Sequence, residues 1–479
     1  MVGSEVMPFA ATGGLGDVLG SLPKACKKQF EQYGEDVDIR VVMPLYQAVS
    51  QERRDKMTYL TNFNVKLGWR NLYCGLFEYK QDGITFYFLD NEYYFKRAHL
   101  YGDFDDGERF AFFSSAAIQM MSVVDFYPDI LHAHDWQSAL SVIYLKTEYK
   151  NSPKYENIRA VFTIHNIAYQ GKYGFEILGD VFGLDSRFQS IVAYDDCINL
   201  MKGAIVCADK VTTVSPTYAE EICYPTHGEG LEHILTANKY KLSGILNGID
   251  YEYYNPIKDK TIYSQFSFRS LEKKALNKTG LQKEIGLPEN AEVPLMAIIS
   301  RLASHKGLDL VTEIIEGVVS RHNTQFVALG QGEQRFEDYF NYLQCKYPDK
   351  VRALLTYDRD LSKKIYAASD LFIMPSLSEP CGLAQMIASR YGAVPITRET
   401  GGLYDSIKGY YEENGKIYGN GFTFANYFSY ELRDRIEAAL ALYDQPDKWK
   451  KLQRKIMRND FSWDTSANKY TELYKSMFE

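Results

Sequence analysis

The sequence predicts an α/β protein built from two doubly wound, Rossmann-like domains. Short β-branched and aromatic runs alternate with helical patterns along nearly the whole chain, which means βαβ units and parallel sheets. About ten such runs overload one sheet but suit two. The length of 479 residues agrees, at roughly 150 residues per domain.

The elements are expected in this order. Residues 1–4 precede Glu5-Val6-Met7-Pro8-Phe9 where a doubly wound domain normally places a full strand. Either that strand is stunted or the chain begins later than its natural start. Thr12-Gly13-Gly14-Leu15-Gly16-Asp17 then leads into a helix over 18–27. Strands follow at 39–46, 83–90, 129–134, 158–165, 210–215 and 242–247, and later at 295–300, 325–330, 351–357, 371–376 and 394–399. Helical patterns occupy 108–124, 136–149, 306–320, 333–346 and 382–390. Gly, Asn and Asp punctuate Ser243-Gly244-Ile245-Leu246-Asn247-Gly248-Ile249-Asp250, and a polar Tyr/Lys-rich stretch follows. The hinge is therefore placed near residue 243, giving domains at 1–243 and 244–455. A last helix, within 456–479, is expected to pack back on the first domain as a strap. No repeat of 20–50 residues is visible, which excludes a solenoid.

Composition excludes several classes. Apolar residues are 46% and charged residues 24%, the balance of an ordinary globular protein. The net charge of −8 argues against nucleic-acid or anionic-membrane partners, which reward a basic surface. No apolar run approaches a membrane span. Glu5 stands where a secretory leader wants a base, so export is not expected. The seven cysteines are scattered without a C-x-x-C pair, which fits reduced thiols in a cytoplasm better than disulfides or zinc. Tyrosine is abundant, and aromatic faces suit sugar rings, although most such residues pack with a wet hydroxyl.

The chemistry collects at the C-terminal ends of the expected strands. His132, His134 and Asp135; His165 and Asn166; Asn247 and Gly248; Arg301 and Lys306; Gly330-Gln331-Gly332; Tyr357; Ser376 through Glu379; and Thr400-Gly401-Gly402 all fall there. Doubly wound sheets bind ligands outside those ends, so two such edges facing each other would form a cleft. The glycine turn at 13–16 is neither G-x-G-x-x-G nor a Walker loop, and a tight turn capping a helix explains it as well as an anion site does. Arg301 and Lys306 flank a strand-to-helix turn. Alone they read as a solvated basic loop, but amides at Gly382-Leu383 and Gly401-Gly402 shift the balance toward a bound diphosphate. Glu379 either complements a helix dipole or serves a sugar. His132-x-His134-Asp135 suggests a metal, but no further ligands recur, so hydrogen-bonded core histidines are the expected outcome and no metal is assigned. His165 either meets substrate or ties two loops together.

With these residues in view, the chain resembles the bacterial glycogen synthases and plant starch synthases, retaining glycosyltransferases of the GT-B fold that use ADP-glucose. The resemblance runs nearly end to end: Ser4-Glu5-Val6, Thr12 through Val18, His132 through Trp136, Thr163 through Gly171, Thr213 through Tyr218, Leu246 through Asp250, Arg301 through Gly307, Glu379 through Leu383 and Thr400 through Leu403. It implies catalytic roles for Arg301, Lys306, Glu379 and His165. It also implies donor or diphosphate contacts for Gly14, Asp17, Asn247, Tyr357 (stacking on adenine), Gly382 and Leu383. No cofactor or metal is implied, the acceptor is an α-1,4-glucan, and alanine at Arg301 or Lys306 is expected to abolish most activity without unfolding. One departure stands out: most of the family carries lysine where this chain has Ala11. That leaves a UDP-glucose transferase or a weakly active glucan-binding paralogue as alternatives. A glucan phosphorylase is disfavoured by length and by the lack of a pyridoxal-phosphate lysine motif.

Overall fold

Parallel strands in a doubly wound sheet are covered on both faces, so they read as unbroken apolar runs rather than alternations. A computed structural model describing residues 1–479 shows this directly. Ala160, Val161, Phe162 and Ile164 on one strand, and Leu295, Met296 and Ala297 on another, are all fully buried. No helix is long and apolar enough to cross a membrane.

The chain divides into two compact units, Met1–Gly248 with Trp463–Glu479, and Ile249–Ser462. In the first unit, strands Arg40–Pro44, Ile84–Asp90, Arg70–Gln81 and Thr58–Leu67 form one half of a sheet, and Ile130–His134, Arg159–Ile164, Lys210–Thr213 and Leu242–Gly244 form the other. The short start of the chain joins them. Val2 bridges Val42 on one side and Ala133 on the other, both in parallel, and its N–H donates to His132 O at 2.8 Å. The stunted segment thus fills the central place in the sheet. Thr58–Leu67 and Arg70–Gln81 form a long antiparallel hairpin that the sequence reading left out.

In the second unit, six parallel strands lie in the order Val351–Leu354, Gln325–Leu329, Leu295–Ile299, Leu371–Met374, Val394–Arg398 and Phe422–Phe424. The helices between them include Leu308–Arg321, Gln334–Lys346 and Ala384–Arg390.

The unit boundaries differ from those expected. The first lies after Gly248 rather than near 243, because Ile245 donates to Thr213 O at 2.9 Å and keeps the chain on the first sheet. The second lies after Ser462 rather than at 455. Ile249 N–H donates to Phe461 O, and the Tyr251 hydroxyl accepts from Phe461 N–H at 2.8 Å, so residues up to 462 are held in the second unit. The last helix, Trp463–Lys475, packs on the first long helix, Gly14–Gln32, within the first unit. Its buried face carries Trp463, Ala467, Tyr470 and Tyr474, and Lys28–Asp464 is an ion pair along its edge.

Candidate active site

In the second unit the strand Leu295–Ile299 delivers Arg301 and Lys306 to its C-terminal end. The turn between them is tied to its neighbours: Leu302 N–H donates to Gln331 O, the Ser304 N–H and hydroxyl both bond Glu333, and Leu377 N–H donates to His305 O. Gly307 closes the turn with φ +72°, a left-handed conformation in which a side chain would also strike Pro375 O. Lys306 is drawn inward, its Nζ 2.7 Å from Glu379 Oε2. Glu379 also accepts from the Ser376 hydroxyl at 2.9 Å and is only 7% exposed. Arg301, by contrast, is exposed and its guanidinium makes no ion pair or hydrogen bond. The turn therefore presents one unneutralised cation beside a buried Lys–Glu pair.

Gly382 and Leu383, after Glu379-Pro380-Cys381, lead into the helix Ala384–Arg390. Gln385 braces this turn through Cys381 O, Gly382 O and the Ser406 hydroxyl. Of the paired glycines at 401–402, Gly402 has its amide turned inward. Gly402 N–H donates to Glu379 O and Pro380 O, and a side chain on Gly402 would collide with Cys381 O, so this pair supports the Glu379 turn from beneath. Tyr357 lies beyond its strand, which ends at Leu354 rather than 357; it is 71% exposed, and its hydroxyl accepts from Arg359.

In the first unit the glycine turn opens the helix Gly14–Gln32, four residues earlier than expected, and places Gly14 and a partly exposed Asp17 in its first turn. The carboxylate there is one the sequence reading quoted without assigning a role. Glu5 is buried and accepts from Thr12 N–H, Gly13 N–H, the Thr12 hydroxyl and the Tyr101 hydroxyl. An acid at a helix N-terminus satisfies amides that lack intrahelical partners. Its signal was the Glu5 to Thr12 spacing across a tight turn, which sequence alone could not close.

His165 follows the strand Arg159–Ile164, with its N–H held by Asp135 Oδ1 at 2.7 Å and its Nε2 3.0 Å from His134 Nδ1. Burial lowers its pKa to about 3, so the ring is neutral. Burial also raises Asp135 to about 7, partly offset by the amides it accepts from. Asn247 is buried, and its Oδ1 has no hydrogen-bond partner. The metal reading of His132 finds no support: its Nδ1 meets the Tyr474 hydroxyl at 2.7 Å and its Nε2 meets Thr163 Oγ1 at 2.6 Å, so both ring nitrogens are engaged.

Two clusters thus stand at the carboxyl ends of parallel strands in two sheets: Arg301, Lys306 and Glu379 in one, Gly14, Asp17, His165 and Asn247 in the other. Comparison with known proteins agrees with this division. A starch synthase catalytic domain model matches residues 1–237, and a glycosyl transferases group 1 model matches 282–456. Glycogen synthase of Clostridium novyi is 46% identical over 99% of this chain and 98% of its own, and that of Streptococcus agalactiae is 46% identical over 99% of each. The chain belongs to the glycogen and starch synthase family. It is a glucosyltransferase of the GT-B fold. The catalytic domain of starch synthase IV from Arabidopsis thaliana, solved bound to ADP and acarbose, matches with a TM-score of 0.90 at 35% identity, covering 99% of this chain and 98% of that one. A sucrose-phosphate synthase from Thermosynechococcus elongatus, at 15% identity and a TM-score of 0.61, shares the fold.

Proposed function

We propose that this glucosyltransferase moves glucose from ADP-glucose to the non-reducing-end 4-hydroxyl of an α-1,4-glucan, with retention at the anomeric carbon. The observation that carries the reading is the unpaired Arg301 guanidinium beside the buried Lys306–Glu379 pair. A free cation at a sheet's carboxyl edge is what a leaving diphosphate needs, and the solved relative carries ADP.

Charge develops in two places as the sugar–phosphate bond breaks. Arg301 and Lys306 take the growing negative charge on the diphosphate, with amides at Gly14, Gly382 and Leu383 assisting. One preorganised donor of this kind contributes roughly 3–4 kcal/mol. Glu379 faces the positive charge growing on the sugar, while Asp17, His165 and Asn247 hold its hydroxyls. The acceptor oxygen enters from the face the diphosphate leaves, and its proton passes to the departing phosphate. Tyr357 stacks on the adenine. The reaction uses no metal in this reading, and the seven free thiols support a reducing, cytoplasmic setting.

The test is transfer of labelled glucose onto glycogen from ADP-glucose and from UDP-glucose, each with and without EDTA. Faster transfer from ADP-glucose, unchanged by EDTA, is expected. Preference for UDP-glucose would overturn the donor assignment, and loss of activity in EDTA would overturn the metal-free mechanism.

A further inference from the structure

Three imidazoles run inward from the proposed sugar site. His165 Nε2 lies 3.0 Å from His134 Nδ1, the His134 ring stacks on His132 at 4.1 Å between centroids, and His132 is held by Tyr474 of the last helix and by Thr163. His134 is fully buried, and its Nε2 has no hydrogen-bond partner. Burial depresses all three rings, His132 and His134 well below the usual imidazole range, so each is neutral at pH 7 and carries one N–H.

One proton therefore sits between His134 and His165, in one of two arrangements. If His165 donates from Nε2, His134 must carry its own hydrogen on Nε2, leaving a buried N–H with no acceptor. If His134 donates from Nδ1, its Nε2 is a bare lone pair. Orphaned buried N–H groups are the rarer of the two, and in a pair of neutral imidazoles the bond made by one nitrogen decides the state of the other.

We propose that His134 is a positioning residue that holds His165 as its Nδ1–H tautomer, so that His165 meets the glucosyl group as a hydrogen-bond donor. The inference rests on the reading above that His165 serves the sugar. It adds a constraint: with Nδ1 protonated and Nε2 occupied, the ring has no lone pair to take the acceptor hydroxyl's proton. His165 is thereby excluded as the base, in keeping with transfer of that proton to the departing phosphate, and the sugar oxygens facing His165 must accept.

The experiment is imidazole nitrogen–proton correlation spectroscopy on the full chain labelled at its eight histidines, with His165 assigned by the signal lost in His165→Gln. A neutral His165 protonated on Nδ1 at pH 7 is expected; protonation on Nε2 overturns the proposal, whatever any variant does. In His134→Ala, His165 should become a mixture of tautomers, with kcat down about tenfold to a hundredfold and glucan KM little changed. His134→Asn, which offers an amide N–H at similar reach, should restore both the tautomer and most of kcat. An unchanged His165 spectrum in His134→Ala also overturns the proposal. His165→Ala is read separately: full activity there would sink the sugar-site reading, while the tautomer assignment would still be decided by the wild-type spectrum.

Discussion

Arg301 and Lys306 share one turn but meet different surroundings, and their variants should separate. Arg301 is exposed and unpaired, so Arg301→Ala should lower glucosyl transfer by about a hundredfold to a thousandfold and leave the melting temperature unchanged. Lys306 neutralises a buried carboxylate, so Lys306→Ala should lose activity and also roughly 3 kcal/mol of stability. Transfer rates measured beside thermal melts check both, and equal melts for the two variants would mean the pair contributes little. Ala11 gives a third case. It is partly exposed at the head of the Gly14–Gln32 helix, where Glu5 already satisfies two amides. Ala11→Lys adds a cation there and should lower the ADP-glucose KM by about tenfold, the worth of one charge-assisted hydrogen bond. A KM that stays put would show that the donor phosphates do not reach this turn.

Among the elements, the last helix is the most exposed to test. Its stability comes from packing rather than propensity, because Trp463, Tyr470 and Tyr474 bury their rings against the first unit. Tyr470 is fully buried, so Tyr470→Ala should cost about 3–5 kcal/mol by removing a large aromatic side chain from the core. Urea denaturation followed by circular dichroism reads this, and a loss below about 1 kcal/mol would mean the helix is only loosely docked. The Thr58–Gln81 hairpin teaches a different lesson. Its Val65 and Leu67 are buried between exposed neighbours, an alternation visible in the sequence, whereas on the second strand Cys74, Gly75 and Leu76 are buried in a row and the pattern is lost.

At the scale of the whole molecule, pH should act through buried neutral groups. His132 and His134 have folded pKa values far below the unfolded 6.5, so stability is full above that value and falls as the unfolded chain takes up protons below it. The buried Met1 amine, pushed down to about 5, acts in the same direction, whereas Asp135, raised to about 7, opposes it. His165, lowered to about 3, adds to the first group, so the net uptake of two to three protons on unfolding gives a loss of about 2.7–4.1 kcal/mol per pH unit just below pH 6. Urea midpoints at pH 7 and pH 5 test the sign; a higher midpoint at pH 5 would refute it.

The sequence by itself determined the α/β class, the two-sheet organisation and the family, and it named the residues of the candidate site. Apolar runs, helix periodicity and glycine turns are local signals, and the residues that carry chemistry lie on the turns those signals delimit. Arg301, Lys306 and Glu379 could be named that way because each follows a strand whose end is legible. Tertiary structure alone decided what those residues touch. It closed Glu5 onto Thr12 and Gly13, tied the Gly402 amide to the Glu379 turn, and occupied both nitrogens of His132, one with a tyrosine 342 residues away. It also moved the unit boundary to Gly248 and set residues 1–4 at the centre of a sheet. Such hydrogen bonds join groups far apart in the chain, so their partners are chosen by topology and packing, which no local pattern of residues records.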